Sequence, residues 1–403
     1  MGPQASPPPT PETAAQRPRA ARTSDAEKQA LALIVAGTAT SRAELRERLG
    51  ISASTASALV RRLIESGLVS ESEHGTSTGG RRPARLQAAA NDSAWLVAEL
   101  GSSHMRVGLS TADGRLEGVR EHRMNISEGH AASVTALAAS WRELIDEHPA
   151  STVLAGAVAV PGPVSALTGD LIAPARMPGW HGAPFARDLA EELAIPISIE
   201  NDARAATLGE HLARAEESQD LIYVKAGSGI GAGLLHRGEV VRGGSGVAGD
   251  ITHVPVPGAE GRQCSCGRVG CLETVASGAA ITQELLDQGV EISSMNDVVD
   301  LALTFHPAAT AAIRRSGKQL GTALSPLVNF LNPSTVVIGG ALSGVDAYVA
   351  AVRSAIYDSS LAMNTQGLTI ATSSAGSDAA LLGLARLAQE LAPVRIPGSD
   401  SPA

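Results

Sequence analysis

All three cysteines of the chain fall within eight positions, in Cys264-Ser265-Cys266-Gly267-Arg268-Val269-Gly270-Cys271, and His253 stands eleven positions before the first. Three thiolates and an imidazole suit the closed tetrahedral site that zinc takes in structural centres. Gly267 and Gly270 give the loop the backbone freedom to wrap an ion. A redox pair is the rival use of neighbouring thiols. Three cysteines cannot pair fully, and the chain has the look of a cytoplasmic protein, so a disulfide framework is not expected. The expectation is structural zinc on His253, Cys264, Cys266 and Cys271. The spacing is not that of a DNA-binding zinc finger, so the metal's expected task is to stiffen the body around it.

Carboxylates and glycines offer a second chemistry. Glu200-Asn201-Asp202 falls where a strand gives way to a helix, the usual place for an active-site carboxylate in an α/β fold. Asp202 would serve equally as a helix N-cap. Gly227-Ser228-Gly229-Ile230-Gly231-Ala232-Gly233 follows a strand, where bare backbone amides could cradle phosphate. Such hairpins also arise where a tight turn needs positive φ. Val336-Val337-Ile338-Gly339-Gly340 ends another strand with a glycine pair that would admit a flat nucleoside or merely make a tight turn.

The N-terminal segment has a different character. After a Pro/Ala/Arg-rich tail at 1–23, which lacks the apolar core of a secretory signal and reads as disordered, three short helical patterns follow. Leu31, Leu33, Ile34 and Val35 mark the first, Leu45 and Leu49 the second, and Ala56, Leu59, Val60 and Leu63 the third. Ser41 with Glu44 forms a capping box, Gly50 ends the second helix, Ser52 caps the third and Gly67 stops it. Two strands, 68–71 and 81–86, close the pattern of a winged helix-turn-helix. Small polar groups at the start of a recognition helix allow close approach to base edges, and basic groups hold phosphates. Ser54, Thr55, Ala58, Arg61 and Arg62 form that outward face, and the wing adds Arg81, Arg82 and Arg85. A solvated helical face with an arginine-rich linker is the plainer alternative. With no heptad seam here, dimerisation falls to the body, and a symmetric dimer would read a palindromic site on double-stranded DNA.

Charge follows the same division. Residues 1–90 hold 12 Lys and Arg against 8 Asp and Glu, and the remainder holds 20 against 33. A basic end on an acidic body points to a nucleic-acid-binding module joined to something that binds a different partner. From about Asn91 strands alternate with helices, which argues for an α/β body. One helix is expected over 272–286 and another over 310–330. No run reaches the roughly 18 apolar residues of a membrane span, because the most apolar stretch, Val153 to Val160, runs into Pro161-Gly162-Pro163. The expected organisation is a tail at 1–23, a DNA-binding domain at 24–90, a first lobe at 91–200 completed by a C-terminal helix at 377–392, a second lobe at 201–376, and a tail at 393–403.

Together the pieces resemble the ROK family of repressors and sugar kinases, over about residues 24–392. The specific segments are Glu200 to Ala206, Gly243 to Val254 and Cys264 to Glu273. The resemblance implies a two-lobed body of the actin-like, hexokinase-like (ribonuclease-H-like) ATPase fold, with sugar in the cleft. It places sugar ligands on Asn201, Asp202, Asp250, His253 and Glu273, with zinc on the four residues above. In the kinases the position of Asp202 is the general base. The winged helix makes the chain similar to the family's transcriptional repressors, of the xylose and N-acetylglucosamine type. Where the kinases resemble Asp-x-Gly-Gly-Thr-Lys, this chain has Glu99-Leu100-Gly101-Ser102-Ser103-His104, which adds a Cβ and removes a positive charge where phosphate must be approached. This counts against ATP and Mg²⁺ binding and leaves Gly101, Ser102, Gly227, Ser228, Gly229, Gly339 and Gly340 as remnants of a nucleotide site. Asp250 and Thr252 replace a glutamate and a glycine of the family's sugar loop. The expected function is a sugar-responsive DNA-binding repressor of carbohydrate metabolism; an active ATP-dependent sugar kinase carrying a DNA-binding domain is the alternative.

Overall fold

The computed structural model describes residues 25–35, 39–65, 69–72, 85–88, 93–165, 168–172, 177–214 and 217–393. They fall into two compact units, one N-terminal and one running from Ser93 onward. Gly67, Arg81, Arg82 and both tails, apart from residue 393, lie outside the described residues.

The N-terminal unit consists of α1 (Asp25–Val35), α2 (Arg42–Leu49), α3 (Ala53–Glu65) and an antiparallel pair, β1 (Val69–Ser72) and β2 (Arg85–Ala88). Its core is the expected apolar set: Ile34, Leu45, Leu59, Val60 and Leu63 pack with Val69 and Leu86. Local chemistry sets the helix ends. Ser41 Oγ accepts the Glu44 amide, while the Glu44 carboxylate accepts from the Thr40 amide, one residue further back than a capping box requires. Gly50 closes α2 at φ 63°, and Ser52 Oγ accepts the Thr55 amide at the start of α3. The Leu86 amide donates to the Thr40 carbonyl, tying the wing to the α1–α2 connection.

The body begins with β3 (Ser93–Leu100), β4 (His104–Thr111), β5 (Leu116–Arg123), α4 (His130–Glu147), β6 (Thr152–Val160), α5 (Phe185–Leu193), β7 (Ile197–Asn201) and α6 (Asp202–Ala213). It continues with β8 (Leu221–Ala226), β9 (Ile230–His236), β10 (Glu239–Val240), α7 (Glu273–Ala276), α8 (Gly278–Asp287), α9 (Met295–Leu303), α10 (Pro307–Leu331), β11 (Thr335–Gly339), α11 (Asp346–Ser359), α12 (Ala362–Thr365), β12 (Thr369–Thr372) and α13 (Ala379–Leu391). Two five-stranded sheets result, ordered β5-β4-β3-β6-β7 and β10-β9-β8-β11-β12. Each has an antiparallel three-strand meander on one side and two parallel additions on the other. One topology is thus used twice, which is the expected two-lobed fold.

The strands sort their side chains by period two between two cores. Leu96, Ala98 and Leu100 of β3, with Val158 and Val160 of β6, face α4 and α5; Trp95 and Val97, with Ala155, Ala157 and Ala159, face the other way. Ile222 and Val224 of β8 pack toward α8, α10 and α11, whereas Leu221 and Tyr223 turn to the same shared core as Trp95. That shared core lies between the sheets and holds α6 and α13, with α13 against β3 and β6 and α6 against β8 and β9. The two helices touch backbone to backbone: a Cβ on Gly209 would stand 1.8 Å from the Ala379 carbonyl oxygen, and one on Gly383 1.9 Å from that of Ala205.

Two longer helical segments differ from the sequence reading. The helix expected over 272–286 is broken, because Ser277 is extended and its Oγ caps α8 through the Ala280 amide. The helix α9 was not anticipated, although Ser294 and Asp297 form a full capping box ahead of it. Among the described residues no helix is long and apolar enough to cross a membrane. Gly209→Ala should force α6 and α13 apart and destabilise the body by about 1–3 kcal/mol, measurable as a lower midpoint in denaturant unfolding; an unchanged midpoint would contradict the backbone contact.

Candidate functional site

β7 runs directly into α6, and the residues at the junction divide the work. Asn201 is the N-cap: its Oδ1 accepts the Ala203 and Arg204 amides at 3.1 Å each, and its Nδ2 donates to the Gly162 carbonyl at 3.1 Å and to Asp202 Oδ1 at 3.3 Å. The capping role open to Asp202 therefore belongs to its neighbour. Asp202 Oδ1 accepts the Ala203 amide at 2.8 Å, which leaves Oδ2 for a side chain.

That side chain is Lys225, at the end of β8, whose Nζ lies 2.7 Å from Asp202 Oδ2 and 2.5 Å from Glu99 Oε1 at the end of β3. Burial alone would depress the ammonium, but the two carboxylates, Asp202 first, outweigh it and hold Lys225 above the ordinary lysine range. Lys225 was not singled out in sequence, because its partners lie 126 and 23 residues away.

Glu200, also buried, organises the other side of the junction. Its Oε1 accepts from Arg204 Nε at 2.8 Å and from the Asn201 amide at 2.7 Å, and its Oε2 accepts from Arg242 Nε at 3.0 Å. Arg204, itself buried, also donates to the Gly246 carbonyl at 2.5 Å. The loop 242–246 is thereby fastened to the first turn of α6. Further along this loop, a Cβ on Gly249 would stand 2.3 Å from the Ala232 carbonyl oxygen. Thr252 Oγ1 donates to the Ile230 carbonyl, and the Glu273 amide donates to the Thr252 carbonyl at 3.0 Å. A Cβ on Gly231 would stand 3.9 Å from Asp202 Oδ1. Residues 230–232 thus lie beside Asp202 and pack against Gly249, the neighbour of the exposed Asp250, and through Thr252 they hold the backbone of the buried Glu273.

The glycine-rich loops resolve into distinct causes. Gly227, Gly229, Gly231 and Gly233 all lack positive φ, so a need for positive φ does not explain them. Gly231 and Gly233 are small because α6 packs on them, a Cβ at 233 falling 2.0 Å from Thr207 Oγ1; Gly227 has open space where a Cβ would lie. The Gly227 and Ser228 carbonyls accept the Gly278 and Ala279 amides at the start of α8. Gly340, by contrast, has φ 79° and abuts the Ala226 backbone, while a Cβ on Gly339 would fall 1.9 Å from the Tyr223 hydroxyl. Strand packing and a turn account for that pair. In the β3–β4 turn, the Gly101 amide donates to the His104 carbonyl at 2.8 Å, and the His104 ring lies over Gly101, 2.7 Å from where a Cβ would stand. Ser102 and Ser103 are exposed.

The cysteine loop gathers the four expected ligands. One donor atom each from His253, Cys264, Cys266 and Cys271 lies within 4.8 Å of the other three. Cys266 Sγ and Cys271 Sγ are 3.7 Å apart, and Cys264 Sγ is 3.5 Å from His253 Nδ1. A zinc tetrahedron with Zn–S bonds near 2.3 Å has S···S edges of about 3.8 Å, so these two pairs have the spacing that such an ion would need. Glu273 Oε2 lies beside it, accepting from Ser265 Oγ at 3.3 Å and 3.6 Å from Cys264 Sγ.

On the N-terminal unit, Ser54 and Thr55 are exposed at the start of α3, their hydroxyls each 2.8 Å from Ser52 Oγ. Arg61 is exposed beside Glu65, Arg62 pairs with Glu27 of α1, and Arg85 is exposed on β2.

Removing one member of a buried ion pair leaves the other charge uncompensated, so Glu200→Ala should cost about 3–5 kcal/mol and free the 242–246 loop to exchange its amides. Arg242→Ala, at the exposed end of the same network, should cost less than about 1 kcal/mol. Equal losses from the two, by denaturant unfolding, would contradict the assignment of Arg204 and Glu200 as the clamp.

The ROK family pattern matches residues 96–391, and the MarR family pattern matches residues 23–82. A xylose repressor from Caldicellulosiruptor bescii is 28% identical over 85% of this chain and 90% of its own length. A glucokinase from Halalkalibacterium halodurans is 28% identical over 72% of this chain and 93% of its own. A solved ROK family transcriptional regulator, described as a homologue of the E. coli MLC protein, shares the fold with a TM-score of 0.70 at 24% identity, covering 90% of this chain and 97% of that one. With the family pattern spanning nearly the whole body, this chain belongs to the ROK family.

Proposed function

We propose that this chain is a sugar-responsive DNA-binding repressor of carbohydrate-metabolism genes, acting in the cytoplasm. The observation that carries the reading is the joining, in one chain, of a winged helix to a kinase-like body, an arrangement that the xylose repressor matches along 90% of its length. We take 24–90 as the DNA-binding domain, 91–200 with 377–392 as the first lobe and 201–376 as the second.

In this reading Ser54 and Thr55 meet base edges, while Arg61, Arg81, Arg82 and Arg85 hold phosphates, with Arg62 divided between phosphate and Glu27. A homodimer on a palindromic operator, making roughly 6–10 phosphate contacts, loses about 10³–10⁵ in affinity between 50 and 200 mM salt. The sugar sits against Asp202, Asp250, His253 and Glu273, whose groups accept and donate to several hydroxyls at once. Asn201, whose amide is fully engaged in capping and in orienting Asp202, acts mainly as their support. Zinc on His253, Cys264, Cys266 and Cys271 holds the loop bearing His253 and Glu273. His253 turns Nδ1 toward Cys264, and its other ring nitrogen is left for a hydroxyl. The kinase alternative draws on the likeness to glucokinase and predicts sugar-dependent ADP production.

Two measurements test the proposal. Calorimetric titration with xylose, glucose, N-acetylglucosamine and their phosphates should find a ligand that binds once per chain, and Asp202→Ala should weaken it roughly 10- to 150-fold, the worth of a hydrogen bond to a charged group. A full panel without binding would overturn the sugar reading. Metal analysis should return one zinc per chain, lost in Cys266→Ser while the winged helix stays folded; protein purified without stoichiometric zinc would overturn the metal assignment.

A further inference from the structure

The two sheets of the body match at the ends of their first strands. β3 ends Glu99-Leu100-Gly101-Ser102 and turns into β4; β8 ends Lys225-Ala226-Gly227-Ser228 and turns into β9. Glu99 and Lys225 therefore hold equivalent places, each two residues ahead of a Gly-Ser turn, and they carry opposite charges. They also meet, with Asp202 as the third member: Lys225 Nζ lies 2.5 Å from Glu99 and 2.7 Å from Asp202.

Phosphoryl transfer from a nucleotide requires a divalent cation on the phosphates. Mg²⁺ takes oxygen ligands at about 2.0–2.1 Å in a near-octahedral shell, usually including one or two carboxylates. The carboxylates that converge beside these two turns are Glu99 and Asp202, and both already face the ammonium. A dication held by the same oxygens would bring three positive charges within contact of one another. Lysine suits the place because its compact ammonium can meet two carboxylates at once, whereas a planar guanidinium would demand more room. The pair of carboxylates also keeps the group protonated, so it does not step aside by losing its charge. On the β3 side, the His104 ring covers Gly101.

We propose that Lys225 is a tethered cation standing where the divalent metal of a phosphoryl-transfer site would stand, so that this body is closed to a metal–nucleotide complex. Magnesium does not fit the site as built, and Asp202 is held as a fixed acceptor rather than a free base. The inference is independent of which sugar, if any, Asp202 contacts.

Manganese(II) is the probe, because it replaces Mg²⁺ at oxygen sites, is seen by electron paramagnetic resonance, and has little preference for the thiolate set. Full-length, zinc-loaded wild-type protein should take up no stoichiometric Mn²⁺. Lys225→Met should acquire one Mn²⁺ per chain, bound at least about tenfold more tightly than by wild type, and adding Glu99→Gln should remove it. Lys225→Gln, which keeps a donor toward the carboxylates, serves in the same way if the methionine variant does not fold. Wild-type protein that binds one Mn²⁺ per chain in a Glu99-dependent manner would overturn the proposal. So would a Lys225 variant with wild-type circular dichroism and zinc content that takes up none.

Discussion

The close passage of α6 over α13 sets the spacing between the two sheets of the body. Neither Gly209 nor Gly383 has a side chain, and the carbonyl oxygens of Ala379 and Ala205 occupy the space where a Cβ would be. Each helix lies against a different sheet, so their separation fixes the distance between sheets. Only at that distance can a residue at the end of β3 reach one at the end of β8, as Glu99 and Lys225 do. The alanines at 155, 157 and 159, on the β6 face toward α13, serve the same economy of space.

From this frame the site follows in short steps. Because Asn201 caps α6, Asp202 is released from the backbone on one oxygen and aimed at Lys225. Because Glu200 holds Arg204 and Arg242, the loop that carries Asp250 and leads to His253 is fastened to the same helix turn. Thr252 and Glu273 then link that loop and the cysteine cluster to the mouth of β9. A ligand at Asp202 would therefore touch a junction at which both sheets, α6 and the cysteine loop meet, the kind of place from which small displacements are transmitted through packed elements.

How much of this was legible in the sequence depended on distance along the chain. The gathering of His253 with the three cysteines was, because three of these four residues lie within eight positions of one another. So were the caps at Ser41, Ser52 and Gly50 and the apolar positions of α3, which answer to local hydrogen bonding and a 3.6-residue period. The α9 helix carries an equally local signal in the capping box of Ser294 and Asp297. The reason for Gly231 and Gly233 was not legible: the residues that exclude a side chain there, Ala203 and Thr207, belong to a different element. Nor was the role of Lys225, whose meaning depends on two carboxylates brought in by the fold. The repeated Gly-Ser turns at 101–102 and 227–228 were the one sequence signal that could have paired it with Glu99.

The central claim is that sugar bound by the body governs the affinity of the winged helix for DNA. Fluorescence anisotropy tests it directly, using full-length protein, a duplex selected by that protein from a random-sequence pool, and the sugar identified by calorimetry. The account predicts that the sugar weakens DNA binding by at least about tenfold, a coupling within the usual allosteric range, and that Asp202→Ala binds the duplex as wild type does but no longer responds. A sugar that saturates the body and leaves the anisotropy curve unmoved would contradict it.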